Sequence, residues 1–572
     1  QAWAMVTDRQ HTPVLVLGGG CGGVAAALQA ARCGVEVVLV TPGIWLGGML
    51  TAGGVSAPDG NELAAWQTGL WGALLQQLRL EIRDGLDHNW VSCFGFPPAA
   101  AEAVLQRWVQ QEPLLHWWPC TLVRSVQRQG DRLLSAQLEG RDGLTTMAFD
   151  LLVDGSELAD SLALADLPHR QGWEAQQQWD EPSAPTAERL AADPVFAAQP
   201  LQSPTWVLTA RWSGPWVEIK PQQQKPPAPF SSCLDRFDLG QLLSYGRLPG
   251  GLVMLNWPLD GNDWHEDPGA CLSGDPARAR RQLEAMAEHS RSFLSALQDL
   301  AGPQLQDSGA YPGGSLALQP YWRESRRLIG HSTVTELMLL PGHDAGDASG
   351  AVAVGNYAND HHYPGDDWPL ATKQHLWGGR CSGTPFTIPL SALHGPDAVN
   401  LVMAEKGFSV SHIANGATRL GPLLLQIGQA AGGAAALCAR HRCLPADLAV
   451  AELQSLLIHD SKAPVAVAPA ADLAWHDPHW RDLQQQLIDG ENPRIQPAVA
   501  PAEPGEESAW MQISIEAEDG WFGLDAAGRR WRLITLEPAV VHVLPLAHGQ
   551  HRQLVGRANP WGPWWRINRV LP

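Results

Sequence analysis

The chain of 572 residues holds nine cysteines, scattered from Cys21 to Cys443, with no C-x-x-C pair among them. That scatter excludes a disulfide framework and an iron–sulfur signature, and a reducing compartment, hence a cytoplasmic enzyme, is the simplest expectation. Basic residues are in deficit: 39 Lys and Arg stand against 59 Asp and Glu, a formal net charge of -20. Without a basic face to neutralise phosphates, a general nucleic-acid partner is excluded. The acidic excess itself speaks for solubility, not for a substrate. No apolar run approaches the roughly 20 residues that cross a bilayer, so no membrane span is expected. No long repeat is present, and no second strand is followed by G-x-G-x-x-G, which speaks against a reductase with a separate nicotinamide domain. The chain begins at Gln1 rather than Met, which is compatible with a removed leader or an expressed fragment.

What the chain does hold is concentrated in residues 13–55. Residues 14–17 are a short aliphatic run bounded by glycine, too brief for a helix and read as a buried parallel strand. Gly18, Gly20 and Gly23 follow at G-x-G-x-x-G spacing, with Cys21 and Gly22 between them; residues 24–32 form an Ala-rich helix and 35–40 a second buried strand. In that order the first glycine permits the tight turn, the second lets backbone approach a pyrophosphate, and the third lets helix and strand pack closely. The helix N-terminus adds unpaired N–H groups and the positive end of its dipole. About twenty residues on, an acidic ribose partner is expected. Thr41 stands there instead, and its hydroxyl is a weaker substitute. A second glycine cluster, with Gly47, Gly48, Met49 and Thr51, lets a loop backbone lie against the same cofactor.

Further motifs follow in order. Residues 149–163 read FDLLVDGSELADSLA; then come Arg323-Glu324-Ser325-Arg326-Arg327, Gly355-Asn356-Tyr357 and Asp360-His361-His362. Residues 400–404, Gly416-Ala417-Thr418-Arg419 and Gly428-Gln429-Ala430-Ala431-Gly432 complete the set. Over residues 13–440 this pattern resembles the FAD-dependent oxidoreductases whose flavin domain is like that of glutathione reductase and fumarate reductase. The resemblance implies non-covalently bound FAD, with Asp154 and Gly155 in a turn near the cofactor. It also implies that Arg419, Gly428, Gln429 and Ala431 lie in the segment capping the isoalloxazine. Where that family often has Gly-Arg before His412, this chain has Glu405-Lys406-Gly407, a departure that bears on the flavin edge.

The expected fold class is therefore α/β. A discontinuous Rossmann-like FAD-binding domain takes residues 13–166 and 385–445, around an inserted α+β substrate domain over 167–384. A helical extension and Pro- and Ala-rich linker occupies 446–508, and a small β-rich module 509–572. Apolar spacing predicts helices over 63–86, 99–110, 275–300, 420–439, 448–458 and 478–488, and a strand meander over 114–153. In the last module WMQISIEA, GWFGL, RRWRLITLE and AVVHVLPL read as strands. Its tryptophans suit a small core more readily than a sugar or peptide surface.

The chemical candidates cluster late in the inserted region. Arg323 and Arg326 are anchors for an anionic substrate or the flavin edge, since a guanidinium fixes a carboxylate bidentately. The competing reading is ion pairing with acidic neighbours. His362 and His412 are the proton-transfer candidates, with Asp360 able to orient an imidazole. Asn256-Trp257-Pro258 and Gly261-Asn262-Asp263 are loop candidates for lining a pocket. No metal site is expected, because adjacent histidines point apart and no third ligand has suitable spacing. The reading is an FAD-dependent oxidoreductase moving a hydride between a small organic, potentially anionic, substrate and flavin N5, with an electron acceptor that sequence does not name. Two other classes stay open: an NAD(P)-dependent dehydrogenase using the first fingerprint alone, and a non-catalytic flavin-containing binding protein.

Overall fold

Aliphatic residues without a polar face make the centre of the molecule. In the computed structural model, which describes residues 9–216, 224–341, 348–365, 368–371, 374–516 and 520–572, the strands β1 (Arg9–Leu17) and β2 (Val37–Val40) lie side by side in parallel, Val14 opposite Val37. Between them runs helix α1 (Cys21–Arg32), buried along nearly its whole length. β3 (Leu115–Trp118) adds beyond β2; β4 (Leu122–Gln129) and β5 (Arg132–Gly140) form a meander that leads into β6 (Gly143–Asp154). β6 returns parallel to β1 and carries β7 (Leu401–Met403) at its C-terminal end. The parallel run is thus β3-β2-β1-β6-β7, and Leu17, Asp154 and Met403 end together at one edge. Ligands of open parallel sheets bind outside that edge.

A second helix, α2 (Gly421–His441), crosses α1. A Cβ at Gly428 would run into the backbone of Gly22, and one at Gly432 into that of Ala26. Those glycines therefore allow two helix backbones to touch. α2 is also the one described helix long and apolar enough, on length and composition, to cross a membrane, which corrects the expectation of no such run; 94% of its apolar window is buried inside the protein. A helix of this kind is the core of a folded domain.

Residues 208–306 build a small antiparallel sheet from Leu305–Gln306, Leu208–Trp212, Leu252–Leu255 and Arg247–Leu248, covered by helix Pro276–Ala301, which Asp275 caps. The last segment closes into a five-stranded barrel of β8 (Glu507–Glu516), β9 (Gly520–Asp525), β10 (Arg530–Thr535), β11 (His551–Asn559) and β12 (Trp564–Leu571). Its order is β8-β9-β10-β12-β11, with β10 and β12 parallel, the arrangement of an OB-type barrel. The run AVVHVLPL, expected as a strand, is helical over Pro538–Val543 and Leu544–Ala547. Pro538 at the first helical turn and burial of Val540 and Leu544 against the barrel override its β-branched preference. The barrel is fastened by Asp87, whose carboxylate takes Asn559 Nδ2 at 2.6 Å and Arg566 Nε at 3.1 Å.

Candidate active site

The C-terminal edge of the parallel sheet opens into a cleft of about 480 Å³ bordered by Gly18–Gly20, Thr41, Trp45, Leu122, Ser156 and Arg326. Gly18 adopts φ +85°, and a side chain there would run into Ser156. Gly20 accepts no side chain either, since its Cβ would lie 2.7 Å from the Gly155 carbonyl. The Gly18 N–H bonds the Val40 carbonyl at 2.8 Å and the Gly155 N–H the Leu17 carbonyl at 2.7 Å, so the two turns are locked to the strands. Asp154 is fully buried and receives Ser156 N, Ser156 Oγ and Ser161 N. It shapes the turn beneath the cleft and does not border it. Thr41 Oγ1 donates to the Gly43 carbonyl at 2.8 Å and accepts from Trp117 Nε1 at 2.9 Å. Its proton is thus engaged within the protein.

At the N-terminus of α1 the chain supplies its own anion. Glu405 Oε2 accepts the Gly22 N–H at 2.9 Å, and Lys406 Nζ pairs with Glu157 and lies 3.3 Å from Glu405 Oε1. Burial pushes the Glu405 carboxyl up to about 7, against the opposing pull of Lys406. Burial works against the Lys406 ammonium, but Glu157 and Glu405 outweigh it and hold it charged. Cys21 donates its thiol to the Gly47 carbonyl at 3.0 Å, and burial with two carboxylates nearby raises its pKa far above the ordinary value, so it is a thiol. The departure at Glu405-Lys406 is therefore an ion-paired cluster on the nucleotide side of the fold.

A second space lies beyond Met49 and Leu50. Its inner part, about 40 Å³, is bordered by Asp59, Asn256, Arg323, Asp360, His362 and Arg419; its outer part, about 650 Å³, has aromatic walls that include Trp90, Phe237, Tyr245 and Trp257. The two share Asp59, Val91, Tyr245, Tyr357, Asp360 and His362. Gly421, the first residue of α2, borders the inner part, which brings the positive end of that helix dipole to it.

Charge in this cavity is paired. Arg323 Nη2 lies 3.1 Å from Asp263, and Arg419 Nη2 3.2 Å from Asp360, while Arg419 Nη1 donates to the Tyr321 hydroxyl. His362 is gripped from both sides: Nδ1 by Asp263 at 2.7 Å and Nε2 by Asp360 at 2.9 Å. Burial and Arg323 press the His362 pKa down, but the two aspartates outweigh them and raise it. For Asp263 and Asp360, burial pushes up while the arginine and His362 prevail, leaving both carboxyls below the usual range. Asp59 differs. Burial, with Glu62 and Asp360 nearby, lifts its pKa well above the ordinary value despite Arg380 and Arg419.

The sequence candidates divide accordingly. Arg323, His362 and Arg419 meet at the cavity, and Met49 borders it. Arg326 does not: it borders the nucleotide cleft and donates to the Leu158 carbonyl at 2.9 Å. His412 is fully buried, its Nδ1 2.7 Å from Glu324 and its Nε2 2.6 Å from the Tyr363 hydroxyl, with Trp173 against the ring. It borders neither space. Thr51 donates to the Leu46 carbonyl at 2.6 Å and braces the Gly47–Gly48 turn. Gly428, Gln429 and Ala431 lie inside α2; Gln429 bonds Leu70 N, Gln29 and the Ala463 carbonyl, so this segment packs helices and does not touch the cleft. Asp59 was not singled out from sequence. Its only signal was a turn-rich loop directly after the second glycine cluster.

The sequence model of the family described as FAD dependent oxidoreductase matches residues 13–457, and the chain belongs to that family. FAD is the family's cofactor. No curated protein sequence matches the chain. Solved structures that match in part include L-proline dehydrogenase from P. horikoshii, at 16% identity over 26% of this chain and 23% of that one, TM-score 0.18. They include the aromatic hydroxylase CabE, at 14% identity over 56% and 54%, TM-score 0.30. The flavin-dependent brominase Bmp2 aligns at 10% identity over 75% and 80%, TM-score 0.33. The chain spans about a quarter to a half of the length of the first two. The Gly18–Gly20 turn and the cleft that Thr41, Ser156 and Arg326 border fit the dinucleotide part of FAD, which these residues would hold.

Proposed function

We propose that the protein is an FAD-dependent oxidoreductase that takes a hydride from a small hydroxyl-bearing organic substrate held in the cavity beside Met49. The observation that supports this most is the meeting of Arg323, His362, Asp360, Arg419 and Asp59 in one enclosed space next to the Gly47–Leu50 loop and the start of α2. Bound FAD supplies a two-electron, one-hydride acceptor. The protein's part is position, charge and exclusion of water.

Arg323 and Arg419 set the charge at the inner end of the cavity. His362 keeps its proton, because both ring nitrogens donate to aspartates, so it serves as a fixed positive group and not as a base. Asp59 is the carboxyl at this cavity whose pKa burial, with Glu62 and Asp360 nearby, holds above the ordinary aspartate range. A carboxyl of raised pKa is a stronger base when ionised, and general-base efficiency peaks when pKa approaches the working pH. The substrate hydroxyl proton would pass to the Asp59 carboxylate.

Two measurements test the reading. Visible absorbance with release and identification of the chromophore reads FAD content; a colourless protein that takes up no added FAD would overturn the cofactor assignment here. Anaerobic bleaching by hydroxyl-bearing substrates reads the chemistry. Its rate in the wild type should rise with pH through a pKa above that of an ordinary aspartate, since Asp59 must be ionised to act. Asp59→Asn should lower the rate by about a hundredfold or more and abolish that limb. An unchanged profile in Asp59→Asn removes it as the base.

A further inference from the structure

A carboxylate of the protein lies against the glycine turn that would hold the cofactor. Glu405 closes the start of α1, its Oε2 accepting the Gly22 N–H at 2.9 Å, and its side chain is 1% exposed. It touches Gly20, since a Cβ on that glycine would stand 2.7 Å from Glu405 Oε2. Gly20 in turn borders the cleft. The pyrophosphate of a dinucleotide settles at the glycine turn of such a unit, so here it arrives beside a buried negative charge.

Few titratable groups surround Glu405. Its own segment brings Lys406, whose Nζ lies 3.3 Å from Oε1; the turn after β6 brings Glu157, which pairs with Lys406; α1 brings Cys21, a neutral thiol. With both carboxyls ionised, two carboxylates face one ammonium, and the cluster is negative. A single proton on Glu405 makes it neutral. Burial has already pushed this carboxyl up to about 7, against the pull of Lys406 and with Glu157 adding to the rise. A further anion at the turn favours the neutral acid still more. Glu157 and Glu405 hold the Lys406 ammonium charged, so the proton that moves is the one on Glu405. Asp160, at the border of the cleft beside Arg326, is more than half exposed, and burial and Asp154 push it only to about 6. It titrates below the range in which Glu405 does.

We infer that Glu405 sets the affinity for FAD by accepting one proton from solvent when the cofactor binds and returning it when the cofactor leaves. Only the O–H bond of the carboxyl forms and breaks, and the repulsion at the Gly18–Gly20 turn is relieved. Affinity is then full below the pKa of the free protein, falls as pH rises through it, and levels off above the higher value of the complex. Glu405 thereby acts on the holding of the cofactor and not on the reacting atoms. The inference rests on FAD as the cofactor and not on the choice of substrate.

The test is serial dilution of the FAD-loaded protein from about pH 6 to about pH 8.5 at constant ionic strength, read by the fluorescence of freed FAD. The dissociation constant should be level near pH 6 and rise about fivefold or more between pH 7 and pH 8.5. In Glu405→Gln, neutral at every pH, it should keep the low-pH value of the wild type throughout. In Glu157→Gln, which removes a neighbour that favours the acid, the rise should begin at lower pH. A level constant in the wild type overturns the inference, whatever either variant does. So does a rise in Glu405→Gln equal to that of the wild type, or an onset in Glu157→Gln that does not move. Protein that holds no FAD even at pH 6 overturns the cofactor assignment and the inference with it, whereas FAD held with a level constant overturns the inference alone.

Discussion

The nucleotide cleft and the substrate cavity are built in opposite ways. The cleft has a backbone floor, made of glycines that follow β1 and β2 and a turn after β6, with further walls from residues 121–123 and from Leu318, Gln319, Trp322 and Arg326. The cavity is side chains: Asp59, Asn256, Arg323, Asp360, His362 and Arg419 come from loops spread between the second glycine cluster and the start of α2. A cleft made of backbone tolerates changes of side chain at its rim but no added bulk at its glycines. A cavity made of paired charges behaves the other way, since each partner neutralises another.

The strongest break of that contrast is Gly22→Val. A Cβ there would sit inside the Ala404 carbonyl, and neither β7 nor α1 can give way, as both are buried. The expected loss exceeds about 4 kcal/mol, the range of severe overpacking against backbone. The variant should yield no soluble, FAD-retaining protein, read by circular dichroism and released flavin. A folded Gly22→Val with full FAD content would mean that α1 and the Ala404 segment are less tightly apposed than described.

Asp263→Asn comes next and acts on the cavity alone. It leaves Arg323 and His362 buried with one counter-charge fewer, and removing one partner of a buried pair costs about 3–5 kcal/mol. The check is the urea midpoint at neutral pH with an unchanged slope. The pH dependence has a definite sign. Asp263 has a depressed pKa, so its contribution is present above the ordinary aspartate pKa and disappears as pH falls through the lowered one. His362 has a raised pKa, so its share is full below the ordinary histidine pKa and disappears as pH rises through the raised value. The gap between wild type and variant should be widest between about pH 4 and about pH 6.5, the ordinary aspartate and histidine values, and narrow on both sides.

The same contrast explains what could be read in advance. Strand, glycine turn and helix at residues 14–32 form by local rules, so the fingerprint carried its geometry with it. The charge constellation did not. Arg323 and Arg326 stand in one motif and are equivalent as letters, yet the chain turns so that one enters the cavity and the other the cleft. His362 and His412 looked alike as proton carriers, but only the packing of Glu324, Tyr363 and Trp173 shows that His412 is enclosed. Gly428 and Gln429 sit in a glycine-rich helix that fits a cofactor cap and a helix crossing equally well, and nothing local distinguishes them. Asp59 acquires its character from Glu62, Asp360 and burial, only one of which is near it in sequence.

The smallest effect falls on the rim of the cleft, at the residue that stands where a ribose-binding acid is expected. If Thr41 served the ribose, Thr41→Ala would weaken FAD binding by about tenfold, the cost of one lost polar contact. The hydroxyl's proton, however, goes to the Gly43 carbonyl, and its oxygen takes Trp117 Nε1. The substitution should therefore appear as a loss of about 1 kcal/mol in stability, from the indole N–H left without its acceptor at a part-buried site. FAD affinity, measured by fluorescence titration of the apoprotein, should change by less than about threefold. A tenfold loss of affinity with unchanged stability would return the ribose to Thr41 and make the rim, like the cavity, a matter of side chains.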